Sequence, residues 1–176
     1  IYCPYCNCDD NEFWASENSF NAVKCSNCDF IYVNPRPKKA IIKKAVETGY
    51  HNELKERKSA ISRRVPRKIH HYKKLFKSMF EDIWDTAEPI SWLDIGAGYG
   101  EVIESIKKLA PEGSIIEGVE PMKPKAEAAN KRGLKVHNCY LSELDRKYSI
   151  VSLIHVFSHI ENFREFLVDV KGVLKT

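Results

Sequence analysis

Residues 93 to 101 read Leu-Asp-Ile-Gly-Ala-Gly-Tyr-Gly-Glu, an apolar run that breaks into alternating glycines and then into helix-forming residues. A strand that enters a helix through such a turn leaves bare backbone at Gly96, Gly98 and Gly100, against which a ligand can lie. The helix that follows adds free N–H groups and partial positive charge. The pattern suits a nucleotide-type ligand. It is not the dinucleotide fingerprint Gly-x-Gly-x-x-Gly, because Glu101 stands where the third glycine belongs. It is not a P-loop either, since no Gly-Lys-Ser/Thr follows.

The residues around this turn alternate in the same style. Ile90 to Ile95, Ser114 to Val119, Leu134 to His137 and Tyr148 to His155 read as strands. Glu101 to Leu109, Lys123 to Lys131 and Glu161 to Leu174 read as helices, the last with Phe163, Phe166, Leu167, Val170 and Leu174 on one face. Strands and helices in this order predict an α/β fold, a parallel sheet with right-handed crossovers and flanking helices. A chain of 176 residues with 43% apolar and 30% charged residues can bury such a core, which excludes disordered and fibrous classes. No run approaches the ~20 uncharged apolar residues of a membrane span, and a cytoplasmic location is expected.

Cysteines organise the other end. Cys3-x-x-Cys6 and Cys25-x-x-Cys28 are separated by the 18 residues 7–24. Two such knuckles aim four thiolates at one point, the tetrahedron that structural zinc accepts. The other reading is a pair of disulfides or free thiols. Cys8 lies close enough to compete as a ligand but has the wrong spacing, and Cys139 reads as a small core side chain. Glu12-Phe13-Trp14, Phe20 to Lys24 and Phe30 to Val33 read as short strands, which gives a zinc ribbon over residues 1–36 whose stability depends on its metal.

Between the two lies a basic segment, residues 37–86, bounded by Asn34-Pro35-Arg36-Pro37. Residues 36 to 77 hold 15 Lys and Arg against 3 acids, a local charge of +12 in a chain whose net charge is +4. Residues 38–47 and 52–64 have helical composition with a break at Gly49-Tyr50, and Pro66 is expected to close the second helix. A third helix, about Lys68 to Trp84, carries an apolar stripe of Ile69, Tyr72, Leu75, Phe76, Met79, Phe80 and Ile83 opposite Lys73, Lys74 and Lys77. The block is either a solvated helical face or a surface for an anionic partner.

Taken with its neighbours, the glycine turn resembles the first motif of the class I S-adenosylmethionine-dependent methyltransferases, an acidic residue followed by Gly-x-Gly-x-Gly. Ile116-Glu117-Gly118-Val119-Glu120-Pro121 puts a carboxylate at the end of the next strand, and Ser152 to Phe163 looks like the family's segment after the fourth strand, with Ser158 in place of the usual Glu. Cysteine knuckles followed by Asn-Pro-Arg-Pro and a Gly-Tyr break resemble members that carry a zinc-ribbon head and act around sugar and cell-surface polysaccharide pathways. The resemblance implies a Rossmann-like domain over residues 87–176 that binds S-adenosylmethionine or S-adenosylhomocysteine. Asp94, Gly96, Ala97, Gly98 and Gly100 would cradle it and Glu120 would take the ribose hydroxyls. Pro121 and Met122 would line the adenine, with Tyr140 and Leu141 at its edge.

Zn2+ would sit on Cys3, Cys6, Cys25 and Cys28. His155, with His159 behind it, is the candidate for removing a proton from the acceptor. The acceptor is expected to be a small molecule, a sugar or nucleotide-sugar whose phosphates meet the basic helices. The alternatives are RNA held by the zinc head and basic helices, or a non-catalytic binding module. The family's sheet has further C-terminal strands, so the fourth strand is expected to present an open edge, as in a fragment or a chain whose partner covers it.

Overall fold

The computed structural model describes residues 1–48, 58–160 and 162–175. At the N-terminus, β1 (Asn11–Glu17), β2 (Phe20–Cys25) and β3 (Ile31–Val33) form an antiparallel sheet in the order β1-β2-β3. The β1–β2 hairpin turns on Asn18 and Ser19, both left-handed at φ 50° and 66°, which matches the twist of the flanking strands. This sheet buries little. Cys3, Val23 and Cys25 are inside, while Phe13, Trp14 and Phe20 are exposed.

Helix α1 (Lys39–Thr48) is followed by α2 (Lys58–Met79). Pro66 does not end a helix: α2 runs through it. An interior proline removes one backbone hydrogen bond and costs roughly 3 kcal/mol. Here Val65, Ile69, Tyr72 and Phe76 are all buried, and that continuous stripe outweighs the local defect. Pro66 itself faces solvent. The expected third helix is therefore the second half of α2, and it stops short of Trp84. The chain leaves helical geometry at Phe80 (φ −133°, ψ 42°) before the single turn α3 (Glu81–Trp84). Trp84 Nε1 donates to the Phe76 carbonyl at 2.7 Å, which meets part of the helix end's hydrogen-bonding need. The expected helical residues 52–57 and the Gly49-Tyr50 break lie outside the described residues.

The second sheet is parallel: β4 (Ser91–Ile95), β5 (Ile115–Val119), β6 (Val136–His137) and β7 (Ile150–Leu153), in the order β6-β5-β4-β7. β6 and β7 are shorter than their sequences suggest. Helices α4 (Glu101–Lys107) and α5 (Lys123–Asn130) cover one face with α2, and α6 (Phe163–Gly172) packs on the other. On the first face Tyr72, Phe76, Trp92, Ile103, Ile106 and Ala129 form one core. On the second, Leu93, Ile95, Val119, Leu141, Tyr148 and Val170 form another. The five residues of β4 are all buried, as a central strand between two helical layers requires. The basic segment thus supplies a layer of the sheet's own core.

Connections run from β4 outward to β6 and then return to β7 on the other side. That reversal opens a crevice at the carboxyl end of β4, the place where ligands enter open α/β sheets. The outer side of β7 is not bare where the strand begins. Tyr148 donates to Val173 O at 2.8 Å and accepts from Lys175 N at 2.9 Å, a parallel bridge to the chain emerging from α6.

Glu117 ties the sheet to the loop before β7. Its carboxylate is 3% exposed and accepts from Lys135 Nζ at 2.8 Å, Arg146 at 2.7 Å and the Tyr148 hydroxyl at 2.7 Å, with His137 Nε2 at 2.9 Å. Burial alone would raise its pKa, but hydrogen bonds from Lys135, Tyr148 and His137 bring it down to about 2. A carboxyl depressed on folding stabilises the fold above its ordinary pKa, and that contribution fades as pH falls from about 4.5 towards about 2. Glu117→Ala should therefore lose about 3 kcal/mol at pH 7. In urea unfolding, the gap from the parent should narrow as pH is lowered through that window.

Candidate functional site

The glycine turn sits at the crevice. Gly96, Gly98 and Gly100 all have positive φ, at 70°, 57° and 79°. At Gly96 a Cβ would lie 2.7 Å from Val156 Cγ2, so any side chain there would drive into the segment after β7. At Gly98 a Cβ would come no nearer than 3.6 Å to any other group, which leaves backbone open to the crevice. The turn is drawn onto its neighbour strand by Gly96 N–H and Ala97 N–H, which both donate to Val119 O at 2.9 and 3.1 Å.

Glu120 ends β5 beside this turn. One carboxylate oxygen accepts from Gly98 N–H at 2.8 Å and the other from Met122 N–H at 2.9 Å. The acid is only 6% exposed, so its position is set by these two amides. Each oxygen keeps a lone pair for a further donor.

Asp94, on β4, lies wholly inside. It accepts from Ser152 Oγ at 2.6 Å, and Ser152 in turn accepts from Trp92 Nε1 at 2.9 Å. Burial pushes Asp94 up to about 7; the Ser152 hydrogen bond opposes the rise, and the nearby carboxylates of Glu101 and Glu120 add to it. Glu101, the first residue of α4, is buried and faces Lys68 Nζ at 3.8 Å. Three carboxylates therefore converge on one glycine turn.

A cavity of about 770 Å³ opens over the turn, within the ordinary range for small-molecule sites. Asp94, Gly96, Ala97, Gly98, Glu120, Pro121, Met122, Tyr140, Leu141, His155 and His159 all line it. Gly100 does not; it sits behind the turn, where a Cβ would meet Leu134 at 2.4 Å. His155 follows β7 with a left-handed backbone at φ 57°, and His159 closes a 3-10 turn over Phe157–His159. The strand expected to reach His155 ends at Leu153.

Sequence reasoning missed the far wall. Ile42 and Val46 of α1, with Arg64, Lys68 and Tyr72 of α2, complete the cavity, and Lys39 and Lys43 stand on the same side. Tyr140 ties this wall to the sheet through a 2.8 Å hydrogen bond from its hydroxyl to Glu47 of α1. Burial and Glu47 together push the Tyr140 phenol up to about 12, so it acts as a donor. The apolar stripe of α2 was visible in sequence, but nothing there showed that Tyr72 reaches the crevice. Cys139, expected as a core residue, is half-buried: it packs against the second core and also lines the cavity.

At the other end, the thiols of Cys3, Cys6, Cys25 and Cys28 lie within 4.8 Å of one another, with Cys3–Cys28 at 3.6 Å and Cys6–Cys25 at 3.5 Å. Four sulfurs at 2.3 Å from zinc would stand about 3.8 Å apart, so the cluster fits that ion. No disulfide joins them. Cys8 is outside the cluster and bonds to Asp10 O.

A parallel sheet, a glycine turn and a strand-end acid surround one cavity, at the end of the sheet where open α/β folds receive their ligands. Residues 62–176 match the model of the family described as a methyltransferase domain, and the chain belongs to that family. No curated protein sequence matches the chain. Among solved structures, the plantazolicin methyltransferase BpumL in complex with SAH aligns with TM-score 0.55 at 22% identity over 77% of this chain. Magnesium protoporphyrin IX methyltransferase from Synechocystis PCC 6803 with bound SAM aligns with TM-score 0.54 at 13% identity over 81% of this chain. The chain spans 55% of the first structure's length and 74% of the second's. These likenesses establish the fold.

Asp94 carries a testable electrostatic cost. A carboxyl raised from 3.8 to about 7 on folding makes the native state lose stability as pH climbs between those values. Asp94→Asn should remove that slope, so urea midpoints at pH 5 and pH 8 should lie closer together than in the parent.

Proposed function

We propose that this chain is an S-adenosylmethionine-dependent methyltransferase whose acceptor is a small molecule, a sugar or nucleotide-sugar. The carrying observation is the Glu120 carboxylate, held by Gly98 and Met122 amides at the rim of a cavity floored by open glycine backbone. That arrangement supports Glu120 as the acceptor of ribose hydroxyls, and Met122 and Leu141, both buried at the cavity wall, as an apolar slot for the adenine. The cofactor supplies an activated sulfonium methyl. The protein's part is to orient the acceptor, exclude water and hold a proton acceptor in place.

His155 serves as that proton acceptor. Its left-handed turn brings it to the cavity just past β7, and Val156 is pressed against Gly96, which limits its movement. His159 stands behind it. Lys39, Lys43, Arg64 and Lys68 give the acceptor side a cationic wall suited to phosphate groups. In this reading residues 1–36, 37–86 and 87–176 are the metal head, the acceptor wall and the cofactor domain of a cytoplasmic enzyme. No helix among the described residues is long and apolar enough to cross a membrane.

RNA remains the second reading, favoured by the exposed cations Arg67, Lys73, Lys74 and Lys77, which lie outside the cavity wall. It predicts acceptor binding that weakens steeply with salt, whereas a nucleotide-sugar should depend on one or two of the wall cations.

Calorimetry with S-adenosylhomocysteine tests the cofactor site. Glu120→Ala should weaken binding about 30-fold, the share of charge-assisted hydrogen bonds worth ~2 kcal/mol. His155→Ala should leave that affinity unchanged and slow methyl transfer by at least about 100-fold. Full turnover in His155→Ala would remove the residue from this role, and no binding by the parent chain would favour a non-catalytic module.

A further inference from the structure

The cysteine head and the segment carrying His155 are in direct contact. Phe163, the first residue of α6, meets two ribbon aromatics: Phe30 at 5.5 Å between ring centroids and Tyr5 at 6.4 Å. Tyr5 and Phe30 in turn stack on each other at 6.3 Å. Tyr5 lies inside the first knuckle, between Cys3 and Cys6, and Phe30 follows Cys28 of the second. Arg164 donates to the Tyr5 carbonyl and lies 5.4 Å over its ring. Arg36, just past β3, donates to the carbonyl of Ile160, which lines the cavity with His159.

We infer that the metal-loaded ribbon is a strut for the acceptor side of the cavity, with Phe163, Tyr5 and Arg36 as positioning residues for His155 to Ile160; this rests on the zinc and methyltransferase readings above. The segment is pinned between two supports. On its inner side Val156 packs on Gly96, and on its outer side the ribbon holds Ile160 and Phe163. The inner support belongs to the sheet and stands without the head. The outer support is only as firm as the two knuckles, because Cys3, Val23 and Cys25 are the ribbon's buried apolar residues among those described. So small an interior rarely fixes a backbone without a staple. Tyr5 and Phe30 are themselves substantially exposed, so besides Arg164 on the Tyr5 carbonyl it is the knuckles carrying them that set them against Phe163. Losing the metal therefore frees the acceptor segment while the cofactor turn, anchored to Val119 and Glu120, keeps its shape.

Hydrogen exchange on the full chain, zinc-loaded and chelator-stripped, reads this directly. Stripping should speed exchange of amides 155–160 by at least about tenfold and leave amides 91–107 within about twofold. Phe163→Ala should reproduce the faster exchange with one zinc still bound per chain, and Phe163→Tyr should restore protection. Overturning results are a protected 155–160 segment in the stripped protein, parental exchange in Phe163→Ala, or a chain purified without zinc. S-adenosylhomocysteine affinity, measured alongside, should change less than about threefold on stripping. Absence of binding in both forms would sink the methyltransferase reading, while the exchange result would still decide the strut.

Discussion

At the carboxyl ends of two adjacent parallel strands, the Gly98 amide meets the Glu120 carboxylate at 2.8 Å, and the site is built outward from that contact. It requires β4 and β5 in register, with Asp94 opposite Gly118 and Ile95 opposite Val119, so that the turn after one strand lies beside the acid ending the other. It also requires backbone at Gly98 to stay bare. Everything around the contact can be understood as holding it: the Val119 carbonyl draws in the turn, and Val156 presses on it from β7's side.

The arrangement concentrates negative charge in a buried place. Asp94, Glu101 and Glu120 share one turn, and burial with like charges raises Asp94 to about 7. A sheet optimised for stability alone would not gather three acids there. Glu117, on the neighbouring strand β5, shows the contrast. It is equally buried, but with cationic partners and a phenol it is driven to about 2 and strengthens the fold. Glu117 on β5 and Glu120 just past its end thus differ in role because of what faces them, one organising the sheet and the other offering lone pairs to a cavity.

The cavity also depends on parts remote in sequence. Helices α1 and α2 close it, Tyr140 latches α1 through Glu47, and the cysteine head reaches the segment after β7 through Tyr5, Phe30 and Phe163. The cavity wall is therefore assembled from three regions of the chain, whereas the glycine turn and Glu120 on its floor come from one stretch, residues 94–120.

That difference sets how much could be read without coordinates. The glycine turn, the strand-end acid at Glu120, the two cysteine pairs and the alternation of strands and helices are local patterns, because backbone geometry and metal coordination act over a few residues. Boundaries fared worse. Pro66 argued for a break that α2 does not make, since burial of Val65, Ile69, Tyr72 and Phe76 overrides one lost hydrogen bond. The sequence by itself determined the class of fold, the turn and the paired knuckles. Only the tertiary structure decided that Gly100 supports the turn from behind, that Cys139 and Tyr72 face the cavity, and that the cysteine head touches Ile160 and Phe163 beyond β7. Those outcomes depend on packing between residues distant along the chain, for which no local spacing carries a signal.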